Sequence, residues 1–168
     1  MAEINPLLAG RWSPRAFDQD YAMTDEQMTL LLEAARWAPS AMNLQPWGFV
    51  TGLRGGRTYE QLTGCAQGHS DWALSASGLI LGACRLSGRE LELSLYDLGD
   101  AVAHLSIEAE SLGLHLRQFA TFDRGLAVRE FGIDEPWVPV IMLAVGRAVE
   151  SGRPERERKP LAELRPWG

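Results

Sequence analysis

Apolar side chains recur along the chain with the period of an amphipathic helix in some segments and as short continuous runs in others. The clearest helical segment is predicted to begin at Thr24 and to run up to Pro39, and one face of it carries Met28, Leu31, Leu32 and Ala35. Thr24 and Gln27 have the types and spacing of a capping box, which marks the start of a helix. Pro39 is expected to end it, because the residue before a proline avoids the α conformation.

A second strong helix is predicted over residues 98–112, with Gly113 placed to end it. Glu108 and Glu110 lie off its apolar stripe, and we expect both to be solvated. The strands and helices of the chain do not alternate with the regular spacing of a doubly wound sheet, which predicts an α+β fold. Shorter helices are predicted over residues 58–66 and 123–131, and strands over residues 47–51, 77–84, 114–121 and 137–146.

Length and composition are those of one ordinary globular domain. The 168 residues are 46% apolar and 23% charged, which is enough to bury a core. The formal charge of −6 argues against nucleic acid or an acidic membrane as a partner. No apolar run reaches the length of a signal-peptide core or of a membrane span, which favours a cytoplasmic protein. Cys65 and Cys84 lie in apolar segments, and we expect both to be buried free thiols.

Residues 11–17, here called the strap, read Arg-Trp-Ser-Pro-Arg-Ala-Phe. Pro14 favours an extended backbone at Ser13, so that Arg11, Ser13 and Arg15 are expected to project to the same side. Two guanidinium groups and a hydroxyl on one side suit a phosphate, because arginine offers planar, bidentate donors. By itself the pattern is more typical of a solvated extended face with unrelated arginines, so it needs a partner segment to support a phosphate site.

Residues 40–46, here called the connector, join the first strong helix to the first predicted strand. Ser40, Asn43 and Gln45 supply a hydroxyl and two carboxamides from a short stretch between Pro39 and Pro46. The fixed backbone angle of each proline stiffens the stretch. Such a connector suits a planar polar heterocycle better than it suits a core.

The sequence has none of the common catalytic motifs. It lacks a P-loop, a G-x-G-x-x-G after a strand, a G-x-S-x-G elbow and an H-E-x-x-H pair. Its histidines and cysteines are too widely separated to have metal-ligand spacing. A chain without its own nucleophile or metal takes its chemistry from an organic cofactor or has none.

The strap and the connector together closely resemble the paired N-terminal motifs of the FMN-dependent nitroreductases. The matching motifs are Arg-x-Ser-x-Arg-x-Phe at residues 11–17 and Ala-Pro-Ser-Ala-Met-Asn-Leu-Gln-Pro-Trp-x-Phe at residues 38–49. Residues 97–114 look like the central dimer helix of that family, and residues 156–164 look like its C-terminal arm. Each motif alone is weak, but the four in this order are specific for the family, although not for a substrate.

The resemblance implies a three-layer α+β fold with a central, mostly antiparallel sheet, over a single domain of residues 1–168. It also implies an intertwined homodimer with two FMN sites at the interface, in which residues 148–168 form an arm on the partner subunit. The strap and two C-terminal arginines hold the phosphate end in this pattern, and the connector reaches the ring from the other subunit. The implied FMN-binding residues are Arg11, Trp12, Ser13, Arg15, Pro39, Ser40, Ala41, Asn43, Gln45, Ala120, Thr121, Arg156 and Arg158.

One residue, one pair of residues and one segment depart from the family pattern. Trp12 stands where many members have a basic residue, so stacking or bulk replaces one electrostatic contact. Ala120 and Thr121 align with a Glu-Gly pair beside flavin N5, which leaves a backbone N–H but removes the carboxylate. The segment of residues 85–96 is short and lacks the helical insertion that covers the flavin in larger members.

The function implied is that of an FMN oxidoreductase, reduced by NADH or NADPH and passing electrons to a small electron-poor acceptor by a ping-pong mechanism. A nitroaromatic or a quinone is the expected class of acceptor. No side chain is expected to be the acid or base, and no metal ion, nucleic acid or membrane is expected as a partner. Two alternatives stay open: an FMN-dependent dehydrogenase of a biosynthetic intermediate, and a flavin-binding protein with little turnover.

Overall fold

A four-stranded antiparallel sheet forms the centre of the fold, in a computed structural model that describes residues 4–86, 91–149 and 156–167. The strands are β1 (Trp47–Leu53), β2 (Gly78–Arg85), β3 (His115–Phe119) and β4 (Trp137–Gly146). Their order in the sheet is β1-β2-β4-β3, and every neighbouring pair is antiparallel. This confirms the predicted α+β class.

Helices cover both faces of the sheet, which makes three layers. The helices are α1 (Pro6–Gly10), α2 (Asp25–Arg36), α3 (Arg57–Ala66), α4 (Leu91–Ser111) and α5 (Arg124–Phe131). Side chains of α2 and α4 share one apolar cluster with Ile80 and Leu143, whereas α3 and α5 share another with Leu79 and Met142. Successive residues of a strand point to opposite faces, so β2 and β4 each supply both clusters.

The start of α2 follows the sequence closely. The Thr24 side chain accepts from the backbone N–H of Gln27, and the Gln27 side chain accepts from the backbone N–H of Thr24. This confirms the predicted capping box. The helix ends at Arg36, three residues before Pro39.

The start of α4 differs from the prediction. The helix begins at Leu91, well before residue 98, where the apolar stripe begins. Leu93, Leu95 and Tyr96 are exposed in this first part. The periodicity of apolar residues detects a buried stripe. The first part of α4 has apolar side chains that face outward, so the periodicity does not mark it.

Pro139 lies within β4, at a position that tolerates the loss of a backbone N–H. The partner strand β3 pairs with β4 only from Met142 onward, so Pro139 has a neighbour on one side only. On that side the register between β2 and β4 shifts at Gly82 and Ala83. The described residues include no helix that is long and apolar enough to cross a membrane.

Two predicted features fall partly outside the described residues. The arm predicted over residues 148–168 includes residues 150–155 and 168, and the short segment of residues 85–96 includes residues 87–90; both sets lie outside the description. Within the described part of the arm, Leu161–Leu164 form one 3₁₀ turn.

Candidate functional site

The strap leaves the end of α1 with its polar side chains on the outside. The Arg11 guanidinium donates through Nη1 to the Ser13 hydroxyl at 3.3 Å, so these two side chains lie on the same side, as predicted. Ser13 and Arg15 are exposed, whereas Trp12 and Phe17 are buried. The buried side chains hold the strap against the body of the protein, and the exposed side chains between them present polar groups outward.

Contacts from the sheet and from the turn before β2 fix the second half of the strap. The Arg117 guanidinium, on β3, donates to the Pro14 carbonyl at 3.2 Å. The same guanidinium lies 4.1 Å from the centre of the Trp72 ring, a cation–π contact. The backbone N–H of Phe17 donates to the Ser75 hydroxyl at 3.2 Å. These contacts hold the strap backbone on the side that faces the body of the protein.

A half-buried carboxylate lies beneath the first half of the strap. Glu110, near the end of α4, has its carboxylate oxygen Oε2 beside Gly10, where a Cβ built on the glycine would lie 3.8 Å away. Burial raises the pKa of this carboxyl, and the charges of His115, Arg11 and Arg156 act in the opposite direction. Glu110 was expected to be solvated; that expectation is wrong, because α4 ends directly below the strap.

The Trp12 indole is turned into the protein. It packs edge-on against the His115 imidazole, with 5.1 Å between the ring centres, and only 5% of the residue is exposed. Within the described chain, neither Nδ1 of His115 nor Oε1 of Glu110 has a hydrogen-bond partner, although both atoms are buried. The side chain of Trp12 is therefore part of the packing beneath the strap, and its backbone is the part that borders the exposed polar groups.

The two C-terminal arginines are placed differently. Arg156 donates through Nη2 to the Ala9 carbonyl at 2.6 Å and through Nη1 to the Arg11 carbonyl, which brings the C-terminal segment to the end of α1. A cation at the carbonyl end of a helix is favoured by the helix dipole. Arg158 is exposed and donates to the Glu157 carbonyl at 2.8 Å.

The connector has an unusual backbone. Met42, Asn43 and Gln45 have φ angles of 52°, 58° and 48°, in the left-handed region that L-residues other than asparagine and aspartate rarely adopt. The first two lie in the 3₁₀ turn Ala41–Asn43. Such clusters of sparsely populated conformations are typical of functional sites, because the surrounding structure has to enforce them.

The polar groups of the connector bond one another and leave their outer edges exposed. The backbone N–H of Gln45 donates to the Ser40 hydroxyl at 3.0 Å, and the Gln45 carboxamide donates to the Asn43 carbonyl at 3.2 Å. Pro39, Asn43 and Gln45 are exposed. The connector is thus a rigid, outward-facing turn rather than a part of the core.

Ala120 and Thr121 follow the end of β3 and are both exposed. The Thr121 carbonyl accepts from the Ser70 hydroxyl at 3.0 Å, and the next residue, Phe122, is buried. The hydrogen bond to the Thr121 carbonyl and the burial of Phe122 therefore hold this pair at the surface.

The strap and the connector of one chain lie beside distant points of the same helix. Glu110 lies beside Gly10, at the start of the strap, and Asp97 accepts from the backbone N–H of Ala41 in the connector at 3.1 Å. With a rise of about 1.5 Å per residue, these two points on α4 are about 20 Å apart. In a single chain the two predicted halves of the site therefore do not meet at one ligand.

Comparison with known proteins identifies the architecture. The family model described as Nitroreductase family matches residues 8–63, which include the strap and the connector. The chain belongs to the nitroreductase family. YodC of Bacillus subtilis (strain 168), provisionally named an NAD(P)H nitroreductase, is 22% identical over an alignment of 202 positions, gaps included, which covers 99% of this chain and 100% of that protein.

Solved nitroreductase-fold structures superpose over most of the chain. An oxidoreductase containing FMN, whose crystal structure is known, is 29% identical in sequence to this chain. The superposition covers 89% of this chain and 79% of that chain, with a TM-score of 0.79. A nitroreductase-like protein from Streptococcus mutans is 22% identical, covers 95% of both chains and has a TM-score of 0.81. The predicted nitroreductase-like fold is confirmed.

The donor groups on the strap have the chemistry that a phosphate ester requires. Arg11 and Ser13 present N–H and O–H groups side by side, and Arg15 is exposed two residues later. Arg156 adds a cation at the base of the strap. A phosphomonoester carries nearly two negative charges and accepts several hydrogen bonds. The residues present in this nitroreductase-family chain therefore fit the phosphate end of FMN.

The residues that hold the strap and connector were not found from the sequence. Asp97 accepts a backbone N–H from a segment distant in sequence, Arg117 donates to a distant carbonyl, and Glu110 lies beside Gly10. No local pattern marks such contacts. The available signal was that Asp97 and Glu110 both lie in the segment of residues 97–114, which resembles the dimer helix of nitroreductases.

Proposed function

We propose that the protein is an FMN-dependent oxidoreductase that takes reducing equivalents from NADH or NADPH and passes them to a small electron-poor acceptor, such as a nitroaromatic or a quinone. Membership of the nitroreductase family and likeness to an FMN-containing oxidoreductase support the class of activity. The observation that carries the proposal is the strap, on which Arg11 and Ser13 lie hydrogen-bonded beside the exposed Arg15.

The strap is the proposed binding site of the FMN phosphate. Arg11, Ser13 and Arg15 donate to the phosphate oxygens, and charge-assisted bonds of this kind contribute about 1.5–3 kcal/mol each. Arg156 holds the strap at its base and adds positive charge, and Arg158 extends the cationic surface. Several such bonds are sufficient to retain FMN without a covalent link.

The connector and the pair after β3 are the proposed contacts of the isoalloxazine ring. Asn43 and Gln45 present carboxamides to the polar edge of the ring from a turn that is already fixed. The exposed backbone at Ala120 and Thr121 offers an N–H to flavin N5. The chemistry supplied by a bound flavin is acceptance of hydride from the nicotinamide and donation of electrons to the acceptor. The part of the protein is to orient the ring and to keep positive charge near its reduced form.

A homodimer completes the proposed site. The two halves of the site within one chain are about 20 Å apart along α4, so that a strap has to meet the connector of a second copy. Large apolar side chains are exposed beside the connector and in the C-terminal segment, which is typical of a surface that another chain covers. These side chains are Trp37, Met42, Leu44, Tyr96, Leu161, Leu164 and Trp167. Residues 148–168 are the proposed arm on the partner subunit.

The test of the oxidoreductase is spectroscopic. The purified protein is expected to be yellow, to release FMN on heat denaturation, and to lose its flavin absorption band under nitrogen when NADH or NADPH is added. Adding a nitroaromatic or a quinone is expected to restore the band, and initial rates are expected to give the parallel lines of a ping-pong mechanism. A protein that binds FMN but stays oxidised with both nicotinamides would contradict the proposed electron donor.

The test of the homodimer is the mass in solution. Light scattering after size exclusion is expected to give twice the chain mass of 18.5 kDa. Replacing Leu164 and Trp167 with glutamate is expected to lower both the dimer fraction and the bound flavin. A monomer that retains FMN would contradict the shared site.

A further inference from the structure

Arg117 links β3 to the strap and to the turn Asp71–Ser75. Its guanidinium donates through Nη1 to the Pro14 carbonyl at 3.2 Å and lies 4.1 Å from the centre of the Trp72 ring. The Trp72 indole in turn packs edge-on against Phe119, with 5.3 Å between the ring centres. The half-buried side chain of Arg117 is therefore held between the strap and the turn.

The bond to Pro14 fixes the backbone angle that the proline ring leaves free. The ring holds φ at about −65°, whereas ψ, which sets the direction of the carbonyl, can vary. Because the Pro14 carbonyl accepts from Arg117, its direction is set, and ψ with it. Pro14 is buried between the exposed residues Ser13 and Arg15. The orientation of Ser13 relative to Arg15 therefore depends on Arg117.

A second contact joins the end of the strap to the same turn. The backbone N–H of Phe17 donates to the Ser75 hydroxyl at 3.2 Å, and this hydroxyl donates to the Trp72 carbonyl at 3.0 Å. The indole against which Arg117 lies thus belongs to the turn that also holds Phe17. The Arg117 bond acts between the two exposed polar residues, and the Ser75 bond acts at the last residue of the strap.

We propose that Arg117 is a positioning residue for FMN: it fixes the strap at Pro14 and so sets the Ser13 and Arg15 donors relative to each other. This inference rests on the proposed function, in which both side chains donate to the phosphate. Arg117 does not contact the phosphate in this proposal, because its guanidinium is bound to the Pro14 carbonyl and lies on Trp72. A shift of about an ångström separates donors that need to bind one phosphate together.

Two substitutions of Arg117 separate geometry from charge. Arg117→Met removes the donor but keeps a long side chain beside Trp72. Arg117→Lys keeps the positive charge, but an ammonium group lacks the plane that lies on the indole while its N–H groups reach the carbonyl. Arg147→Met is the matched control, because the Arg147 guanidinium has the same kind of contact with another ring, 4.3 Å from the centre of Tyr21.

The affinities of these variants for FMN and for riboflavin form the first test. Riboflavin lacks the phosphate, so loss of strap geometry affects the binding of FMN alone. Arg117→Met is expected to weaken FMN binding about tenfold and Arg117→Lys about threefold, with riboflavin binding unchanged in both. Arg147→Met is expected to bind FMN like the wild type. The inference is wrong if Arg117→Lys binds FMN like the wild type, since charge alone then matters. It is also wrong if Arg117→Met weakens both flavins equally, since Arg117 then supports the fold as a whole.

A double-mutant cycle tests whether Arg117 acts through the donors of the strap. In a protein that already carries Arg15→Ala, Arg117→Met is expected to weaken FMN binding by less than about twofold, because the two donors no longer bind together. A further tenfold loss in that background would show that Arg117 acts independently of Arg15, and would overturn the inference.

Trypsin digestion of the ligand-free protein is the last test, and it does not depend on flavin. Cleavage after Arg15 is expected to be faster in Arg117→Met than in the wild type and in Arg147→Met, because the strap opens more often. Mass spectrometry of the fragments identifies this cut. An unchanged rate in Arg117→Met would overturn this inference alone. A wild-type protein that binds neither FMN nor riboflavin would instead overturn the proposed function.

Discussion

Asp97 holds the connector by its backbone. The two oxygens of this carboxylate lie 3.2 Å and 3.1 Å from the backbone nitrogen of Ala41, and only 4% of Asp97 is exposed. Ala41 opens the 3₁₀ turn that leads into the left-handed residues Met42 and Asn43. A buried acceptor from α4 thus enforces the start of a turn that the local sequence does not favour.

Replacing Asp97 with alanine is expected to lower the free energy of unfolding by about 1–2 kcal/mol, because a hydrogen bond to a charged acceptor is lost while helix propensity improves slightly. Flavin binding is expected to weaken as well, for FMN and riboflavin alike, since the connector is the proposed contact of the ring. Denaturant unfolding and flavin titration are the measurements. Asp100→Ala, one turn further along α4, is the control, and equal effects of the two substitutions would contradict a specific role of Asp97.

The local sequence was sufficient to predict the structure where a side chain forms a hydrogen bond with a backbone group a few residues away. Thr24 and Gln27 cap α2 as predicted, and the continuous apolar run around Ile80 is the doubly buried strand β2. The connector shows the limit of such reasoning. Only Asn43 among its three left-handed residues is of a type that favours this conformation, so the backbone of Met42 and Gln45 could not be predicted.

Sequence reasoning named exposed residues of the candidate site and missed the residues that support them. Arg11 and Ser13 lie side by side as the proline-containing pattern indicated, because that geometry follows from an extended backbone. Glu110 was assigned to solvent, because periodicity identifies only the apolar stripe of a helix. Which polar residue lies below the strap depends on how α4 and the strap cross, and that is a tertiary relationship.

Arg15→Ala is expected to weaken FMN binding about tenfold or more, because one charge-assisted donor to the phosphate is removed. Riboflavin binding is expected to change little, since riboflavin carries no phosphate. Fluorescence titration of the flavin-free protein is the measurement. Arg57→Ala removes an exposed arginine at the start of α3 and is the matched control. An unchanged FMN titration for Arg15→Ala would count against the assignment of the phosphate site.

The two cysteine thiols are expected to be unreactive in the folded protein. Neither Cys65 nor Cys84 has measurable exposure. Burial, with smaller contributions from Asp123 and Glu130, raises the pKa of Cys65 to about 11, and burial also raises the pKa of Cys84. Ellman's reagent at pH 8 is expected to detect no thiol until denaturant is added, and then both. Rapid reaction of the native protein would show that one of the two segments opens.

The stability of the fold is expected to depend on pH through Glu110. Burial raises the pKa of its carboxyl above the value of 4.5 expected for the unfolded chain. Between these two pKa values the folded state binds more protons than the unfolded state. The contribution of Glu110 to the free energy of unfolding is therefore fully present below about pH 4.5 and is lost as the pH rises through the pKa of the folded state.

Glu110→Gln isolates this contribution, because glutamine does not titrate. The difference in unfolding free energy between the wild type and Glu110→Gln is expected to fall steadily from pH 4.5 upward and then to become constant. Urea unfolding at half-unit steps to pH 8 measures it. Repeating the series with His115→Asn in both proteins removes a histidine that acts on the Glu110 carboxyl, whereas the charges of Arg11 and Arg156 do not change over this range. A difference that is constant from pH 4.5 to pH 8 in both series would show that Glu110 has the same pKa in the folded and unfolded chain, and that burial beneath the strap does not favour its protonated form.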